Sequence, residues 1–351
     1  MRTQLHNWIA DNGLPAEACF SNPARYRQTE LAAQAGAIAE RCTGITPAEV
    51  TPTLHRGLHY TFAIAAGGQN LFLKIANPEA DDGYIAVEAR ALQIARDHGV
   101  LAPKVLSVNA ARSEFPLSFL LMERVPGSNL ADLQREGRLD TAVVFRKIGS
   151  NLARLHSITL DGFGFLQRQD SKDTLAGLNH SYQEYYYNRL PEQLHYLQQN
   201  DWVDSETLGR VLRAVHQNEG RLHLTRGSLI NQDFGLWNCI GTSSQLNGIV
   251  DWDSVISGDP LTDFAAAFCS YDQQALNQIR AGYLEESRLP DAFAVRLGLH
   301  VIRDIVPRTI VRSLWGEVNL TSSPEIRRAF NADLKTICAE KLQYGLELLK
   351  E

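Results

Sequence analysis

Asp233 and Asn238 stand five residues apart in the stretch N-Q-D-F-G-L-W-N, and Asp251 follows thirteen residues later in I-V-D-W-D. A carboxylate in such a loop can orient a hydroxyl and take its proton while that oxygen forms a new bond. An amide oxygen and a second carboxylate are hard ligands suited to magnesium, without the excess negative charge of two acids. Phosphoryl transfer needs this set, because its catalysis rests on positioning and charge neutralisation. Asp251 also ends the run N-G-I-V, where a carboxylate is costly to bury unless it is paired or bound to metal.

The letters D-F-G at 233–235 suggest a competing assignment, since in protein kinases that triplet carries the aspartate that holds magnesium. Asp233 in that role would require a base about 18 residues upstream and an asparagine five residues after the base. Those positions are Val215 and Gly220, and neither can do the work. With Asp233 as the base instead, Asn238 completes the frame D-x-x-x-x-N and Asp251 becomes the second metal ligand. The literal D-F-G is a decoy.

The elements needed to position these groups are readable upstream. T-F-A-I-A-A and N-L-F-L-K-I-A flank Gly67-Gly68-Gln69 and predict a β-hairpin with a tight turn. Alternation turns Lys74 inward or toward a cleft; taken alone, it also reads as an edge-strand lysine. From Asp81 to about His98 the pattern is helical, with acids at the start and Gly99 as the stop. Glu88 lies on that helix on the face of Leu92 and Ala95, fourteen residues after Lys74. A strand lysine paired with a glutamate from the next helix is the device that holds α- and β-phosphates in kinases.

Residues 1 to about 45 predict helix. Short strands are expected near Lys104–Val108 and Leu117–Met122, and E-R-V-P-G-S-N-L breaks the chain at Pro126-Gly127 before a helix capped by Ser128 or Asn129. Beyond that point the pattern is mostly helical, apart from a β-like island at about 228–253 that holds the opening motif. The expected architecture is a β-rich lobe over 1–125, with a helical extension over 1–45, and a larger helical lobe over 126–351. The 351 residues, 44% hydrophobic and 21% charged, suit an ordinary globular protein of two lobes. A net charge of -6 argues against general affinity for nucleic acid or anionic membrane. Five scattered cysteines, without a C-x-x-C pair, fit a reducing compartment, and no secretion signal or membrane-length apolar run is seen. A cytoplasmic protein is expected.

These blocks together resemble the aminoglycoside phosphotransferase family within the protein-kinase-like fold. The matching residues are Lys74, Glu88, L-L-M-E-R-V-P-G (120–127), L-A-R-L-H-S-I (152–158), Asp233 to Asn238, I-V-D-W-D (249–253) and G-D-P-L-T-D-F (258–264). Block spacing and the segment G-F-G-F-L are most similar to hygromycin-type and related small-molecule kinases. The resemblance implies an α+β, bilobal fold and an ATP- or GTP-dependent enzyme using Mg2+ to phosphorylate a hydroxyl of an aminoglycoside or aminocyclitol antibiotic, a sugar or an amino alcohol. It implies a base at Asp233, metal ligands at Asn238 and Asp251, and a phosphate-binding Lys74 held by Glu88. Segment 122–126 is then a hinge that hydrogen-bonds a purine at Glu123 and Val125. Asp259 and Asp263 brace the catalytic loop, and Asp253 is either an acid that supports the metal site from behind, the favoured reading, or a plain turn residue.

The chain departs from that family twice. Asn231-Gln232 replaces the usual H-G before the base, and the phosphate-covering turn T-L-H-R-G-L-H-Y-T has the single glycine Gly57. The first departure motivates an alternative, a catalytically impaired nucleotide-binding regulatory protein. Only ten residues separate Asp251 from the helix expected at Leu261, which leaves no room for a peptide platform and favours a small acceptor. Neither Tyr185–Tyr187 nor the arginines Arg303, Arg308 and Arg312, which do not share one helical face, identify that acceptor.

Overall fold

The structure, a computed structural model, describes residues 24–53, 59–76, 84–169, 173–319 and 324–350. The expectations for residues 1–23, for Gly57, and for the acids at the start of the run from Asp81 fall outside these residues.

Helix α1 (Ala24–Thr43) precedes a sheet built from β1 (Glu49–Pro52), β2 (Tyr60–Ala66), β3 (Gln69–Ile75), β4 (Val105–Val108) and β5 (Phe119–Glu123), ordered β1-β2-β3-β5-β4 and antiparallel throughout. The β2–β3 hairpin closes through Gly67 and Gly68 with φ of 55° and 78°. Two successive positive φ values match the right-handed twist of the strands, and glycine takes them without a steric penalty.

The side chains of β3 alternate between two covers. Leu71, Leu73 and Ile75 pack with Leu31, Ala35 and Ile38 of α1. Phe72 instead packs with the core containing Leu92 and Ala95 of helix α2 (Ile85–Asp97). The two-residue period therefore sends Lys74, two residues after Phe72, to the α2 side, where Glu88 stands. Gly99, with φ of 76°, ends the helical run as expected.

After the Pro126-Gly127 joint, β6 (Ser128–Asn129) leads into α3 (Leu130–Arg135), and the Asn129 side chain accepts from the Ala131 N–H as the cap. Helix α4 (Thr141–His156) follows, capped by Asp140. Next the structure departs from expectation. Strands β7 (Thr159–Leu160), β8 (Phe163–Gln169) and β9 (Thr174–Asn179) stand where mostly helix was read. They join β10 (Gly227–Ile230) and β13 (Ile256–Gly258) in a sheet ordered β7-β10-β13-β8-β9. The β-like island is real but divided: β11 (Cys239–Gly241) and β12 (Leu246–Ile249) form a separate three-stranded sheet with β6. Glycines at 162 and 177 let the β8–β9 backbones approach, since a Cβ on Gly177 would lie 2.1 Å from the Phe163 nitrogen.

The remaining helices are α5 (Tyr182–Tyr187), α6 (Leu190–Gln199), α7 (Ser205–Gln217), α8 (Leu261–Ser270), α9 (Gln273–Glu286), α10 (Phe293–Asn319) and α11 (Pro324–Leu348). Tyr182, Tyr185 and Tyr186 are core residues, while Tyr187 is half-buried. Among the described residues no helix is long and apolar enough to cross a membrane.

Helices α4 and α9 cross backbone to backbone. A Cβ on Gly282 would meet the Arg146 carbonyl at 1.8 Å, and one on Gly149 would meet the Ile279 carbonyl at 2.0 Å. Gly282→Ala gains helix propensity of about 1 kcal/mol, yet the overpacked crossing is expected to give a net loss of about 1–3 kcal/mol. Gly209→Ala in α7, where the added methyl meets only the flexible Arg213 guanidinium at 3.2 Å, is the control and should be neutral or stabilising. Urea unfolding of the two variants checks the contrast; equal midpoints would mean that the crossing relaxes freely.

Candidate active site

Strand β10 delivers the loop that carries Asn231, Gln232 and Asp233. Two N–H groups at its bend are taken by one buried carboxylate: Asp263 accepts from Asn231 at 3.2 Å and from Gln232 at 2.7 Å. His156, from the end of α4, contacts the same carboxylate at 3.0 Å. Gln232 has φ of 67°, a conformation that costs a non-glycine residue free energy and persists only where its surroundings impose it. Here they do: Gln232 also donates through its side chain to Tyr185 Oη at 2.9 Å and accepts at its carbonyl from Arg308 at 3.1 Å. Asn231 Oδ1 accepts from the Asp233 N–H at 3.1 Å, so the loop is held with asparagine at this position.

Both oxygens of the Asp233 carboxylate are oriented. Trp237 Nε1 donates to Oδ1 at 3.3 Å, and Asn238 Nδ2 donates to Oδ2 at 3.0 Å and to the Asp233 carbonyl at 2.7 Å. With its amide nitrogen so committed, Asn238 has its amide oxygen left to offer a cation. The Val250 N–H donates to the Asn238 carbonyl at 2.8 Å, which ties this loop to the chain entering Asp251. Asp251 has φ of 62° and a half-exposed carboxylate. The two left-handed residues Gln232 and Asp251 thus flank the candidate site.

Lys74 Nζ lies 3.0 Å from Glu88, 3.1 Å from Asp251 and 3.6 Å from Asp253. Burial disfavours its charge, but Glu88 first and then Asp251 and Asp253 outweigh that and raise its pKa above the ordinary lysine value. It therefore remains an ammonium. Glu88 also accepts from the backbone N–H of the buried Trp252 at 3.3 Å, joining α2 to the D-W-D segment. Asp253 further faces His59 at 3.8 Å.

Glu123 and Val125 lie where β5 runs out. The Glu123 N–H donates to the Lys104 carbonyl and the Arg124 N–H to the Asn70 carbonyl, each at 2.9 Å. Val125 is the first residue past this ladder, packed over Gly248.

Among the described residues no cluster of three or more His, Cys, Asp or Glu side chains is arranged to hold an ion. The candidate donor set is instead a pair of hard oxygens, from Asn238 and Asp251. Magnesium accepts such sparse protein ligation when phosphates and water supply the rest, so the residues present fit that ion.

Asp259 does not brace the catalytic loop as expected. Its carboxylate accepts from the Leu261 N–H at 2.9 Å and from Arg296 at 2.7 and 2.9 Å, with His300 at 3.0 Å. It therefore fastens α8 to α10, two residues before the helix that carries Asp263. Residues not singled out from the sequence also shape the site: Trp237, stacked on Tyr271 at 6.3 Å, His156, and Tyr271, whose hydroxyl accepts from the Leu236 N–H at 2.6 Å. Trp237 and His156 do lie inside quoted motifs; nothing local marks Tyr271.

The sequence model of the phosphotransferase enzyme family (APH) matches residues 50–297. A viomycin phosphotransferase from Streptomyces vinaceus is 25% identical over 234 residues, 59% of this chain and 72% of the relative. A thermostable mutant of the aminoglycoside phosphotransferase APH(4)-Ia, solved with ADP and hygromycin B, superposes with a TM-score of 0.60 at 16% identity, covering 88% of this chain and 98% of that one. A choline/ethanolamine kinase family protein from Mesorhizobium loti superposes with a TM-score of 0.60 at 17% identity, covering 92% of this chain and 99% of that one. The fold is the bilobal, protein-kinase-like one, β-rich toward the N-terminus and mainly helical beyond.

The Asp259 anchor has a pH signature. Burial opposes its charge, but His300, Arg296 and the Leu261 N–H prevail and hold the carboxyl well below the usual range. A depressed folded pKa gives stability that is fully present above the unfolded value, about pH 4, and lost as pH falls toward the folded one. Asp259→Asn should cost about 3–5 kcal/mol at pH 7 by stranding buried partners. In urea titrations the gap between wild type and variant should narrow from pH 7 to pH 3. A gap independent of pH would mean that the charge of Asp259 contributes nothing.

Proposed function

The chain belongs to the phosphotransferase enzyme family, and from that premise we propose that it moves the terminal phosphoryl group of ATP or GTP to a hydroxyl of a small molecule. An aminoglycoside or aminocyclitol antibiotic, a sugar and an amino alcohol are the acceptor classes, in keeping with the viomycin, hygromycin B and choline/ethanolamine relatives. On this reading Asp233 is the base. It orients the acceptor hydroxyl and receives its proton as the new O–P bond forms and the bond to the departing nucleoside diphosphate breaks. Asn238 and Asp251 hold Mg2+, which when bound supplies neutralising charge at the phosphates. Lys74, held by Glu88, lies against the α- and β-phosphates. The backbone at Glu123 and Val125 reads the purine at the joint between a nucleotide-binding lobe, 1–125, and an acceptor lobe, 126–351.

One observation carries this reading: the Asp233 carboxylate is clamped by Asn238, whose own backbone is bonded to the chain that brings Asp251 within 3.1 Å of Lys74. Base, amide, second acid and cation are thus mechanically one unit, as in-line transfer requires. The Asn231-Gln232 variation leaves that unit assembled, which favours an active enzyme over an impaired one.

Replacing Asp233 with Asn keeps the hydrogen-bonded shape and removes the proton acceptor. Transfer to a responsive acceptor should fall by about 10²–10⁴-fold, the usual contribution of a general base, while nucleotide affinity changes little. Coupled ADP-release kinetics across an acceptor panel, alongside nucleotide titration, measure both. A variant that turns over at the wild-type rate would refute the base.

A further inference from the structure

The acceptor side carries two arginines that the transfer chemistry does not use. Arg308 and Arg312 are four residues apart on α10 and therefore neighbours on one face of the helix. Arg308 is anchored: Nε donates to Asp304 at 2.5 Å and Nη2 to the Gln232 carbonyl at 3.1 Å, directly before the base. It borders a narrow crevice with Gln232, Phe234, Gly235, Trp237 and Tyr271. Arg303 is spent inside the protein, donating to the Asn188 carbonyl at 3.0 Å.

Arg312 is different. It is only partly exposed, yet among the described residues it makes neither a hydrogen bond nor an ion pair. Burial and the adjacent Arg308 charge both push its pKa below the ordinary value. The two carboxylates whose fields reach it are Asp304, already bonded to Arg308, and Asp233 itself. A second guanidinium one turn from the first, half-buried and without a hydrogen bond or ion pair among the described residues, is an electrostatic deficit that an anion would fill. A polycationic acceptor would be repelled from the same place.

Building on the proposed transfer reaction, we propose that the acceptor bears an anionic group, a carboxylate or a phosphate, that docks on Arg312 with Arg308 behind it while its hydroxyl lies against Asp233. A planar guanidinium meets either oxyanion through paired N–H groups. Hydroxy acids and sugar phosphates then fit the site better than aminoglycosides or amino alcohols.

The test is calorimetric titration of the full chain saturated with a non-hydrolysable ATP analogue and Mg2+. The probes are glycerate, glycerol 3-phosphate and 3-phosphoglycerate as anions, glycerol as the neutral control and ethanolamine as the cationic one. The anions should bind and the two controls should not; glycerate against glycerol 3-phosphate tells carboxylate from phosphate. Arg312→Gln should weaken anion binding by about tenfold or more, and Arg312→Lys should restore part of it. Unchanged affinity in a folded Arg312→Gln protein would overturn the proposal. So would a wild-type protein that binds only glycerol or ethanolamine, or none of the probes, whether or not the variant folds. Asp233→Asn, assayed in parallel, separates the two readings: normal transfer by that variant removes the base, while the anion titrations judge Arg312 on their own.

Discussion

A lysine ammonium buried in a strand between two hydrophobic covers is the constraint on which the rest of this site depends. Lys74 cannot sit there uncompensated, because an isolated charge removed from water costs several kcal/mol. Glu88 supplies the first counter-charge from α2, and Asp251 and Asp253 supply the others from the segment that follows β12. The cation is over-matched, three carboxylates to one ammonium. That surplus of negative charge suits a place where magnesium, rather than a second lysine, completes the balance. Glu88 does a second job through its bond to the Trp252 N–H, so the position of α2 is coupled to the geometry of Asp251.

The loop opposite is governed by backbone economy. A chain bent so that Gln232 takes a left-handed conformation exposes N–H groups that no strand partner can reach, and a buried N–H left unpaired is costly. Asp263 satisfies two of them at once, and His156 holds Asp263 in turn. Strain at Gln232 is therefore supported from beneath by ordinary hydrogen bonding. The arrangement explains why asparagine serves at 231: what the loop requires there is an acceptor for the Asp233 N–H, which an amide oxygen provides without a titratable ring.

Much of this was legible because it is written in short-range patterns. Lys74 and Glu88 could be read from a two-residue strand period followed by a helix, and Asp233, Asn238 and Asp251 from spacing within one stretch. What escaped was long-range. His156 meets Asp263 across 107 residues, and Arg308 meets the Gln232 carbonyl across 76. No local periodicity encodes those distances. The β8–β9 hairpin was missed because F-G-F-L-Q-R-Q is glycine-broken: it pairs with β9 along most of its length and with the three-residue β13 at Gly164 and Phe165, and neither partner has a strong signal of its own. Asp259 was given the wrong task because the resemblance placed it with Asp263 in the block G-D-P-L-T-D-F. Its partners, Arg296 and His300, lie on α10, beyond both α8 and α9.

The short path from Asp251 to α8 has a consequence for what the site can hold. In that interval the chain makes the three-residue β13, pairs it with β10 and β8, and enters α8 through the Asp259 anchor. Both ends of β13 are thereby fixed to the sheet that presents Asp233, and none of the chain remains for a surface on which an extended peptide could lie. On the proposed reaction, specificity would come from elements that arrive later, α8 through α10, and from the aromatic pair Trp237 and Tyr271. The wall these provide beside the base is made of one stacked aromatic face and Arg308. An aromatic plane tolerates many flat apolar surfaces, whereas a guanidinium whose position is set by Asp304 and the Gln232 carbonyl does not move to suit a partner. On the proposed reaction, discrimination among acceptors would rest on charge at α10 more than on shape at the loop.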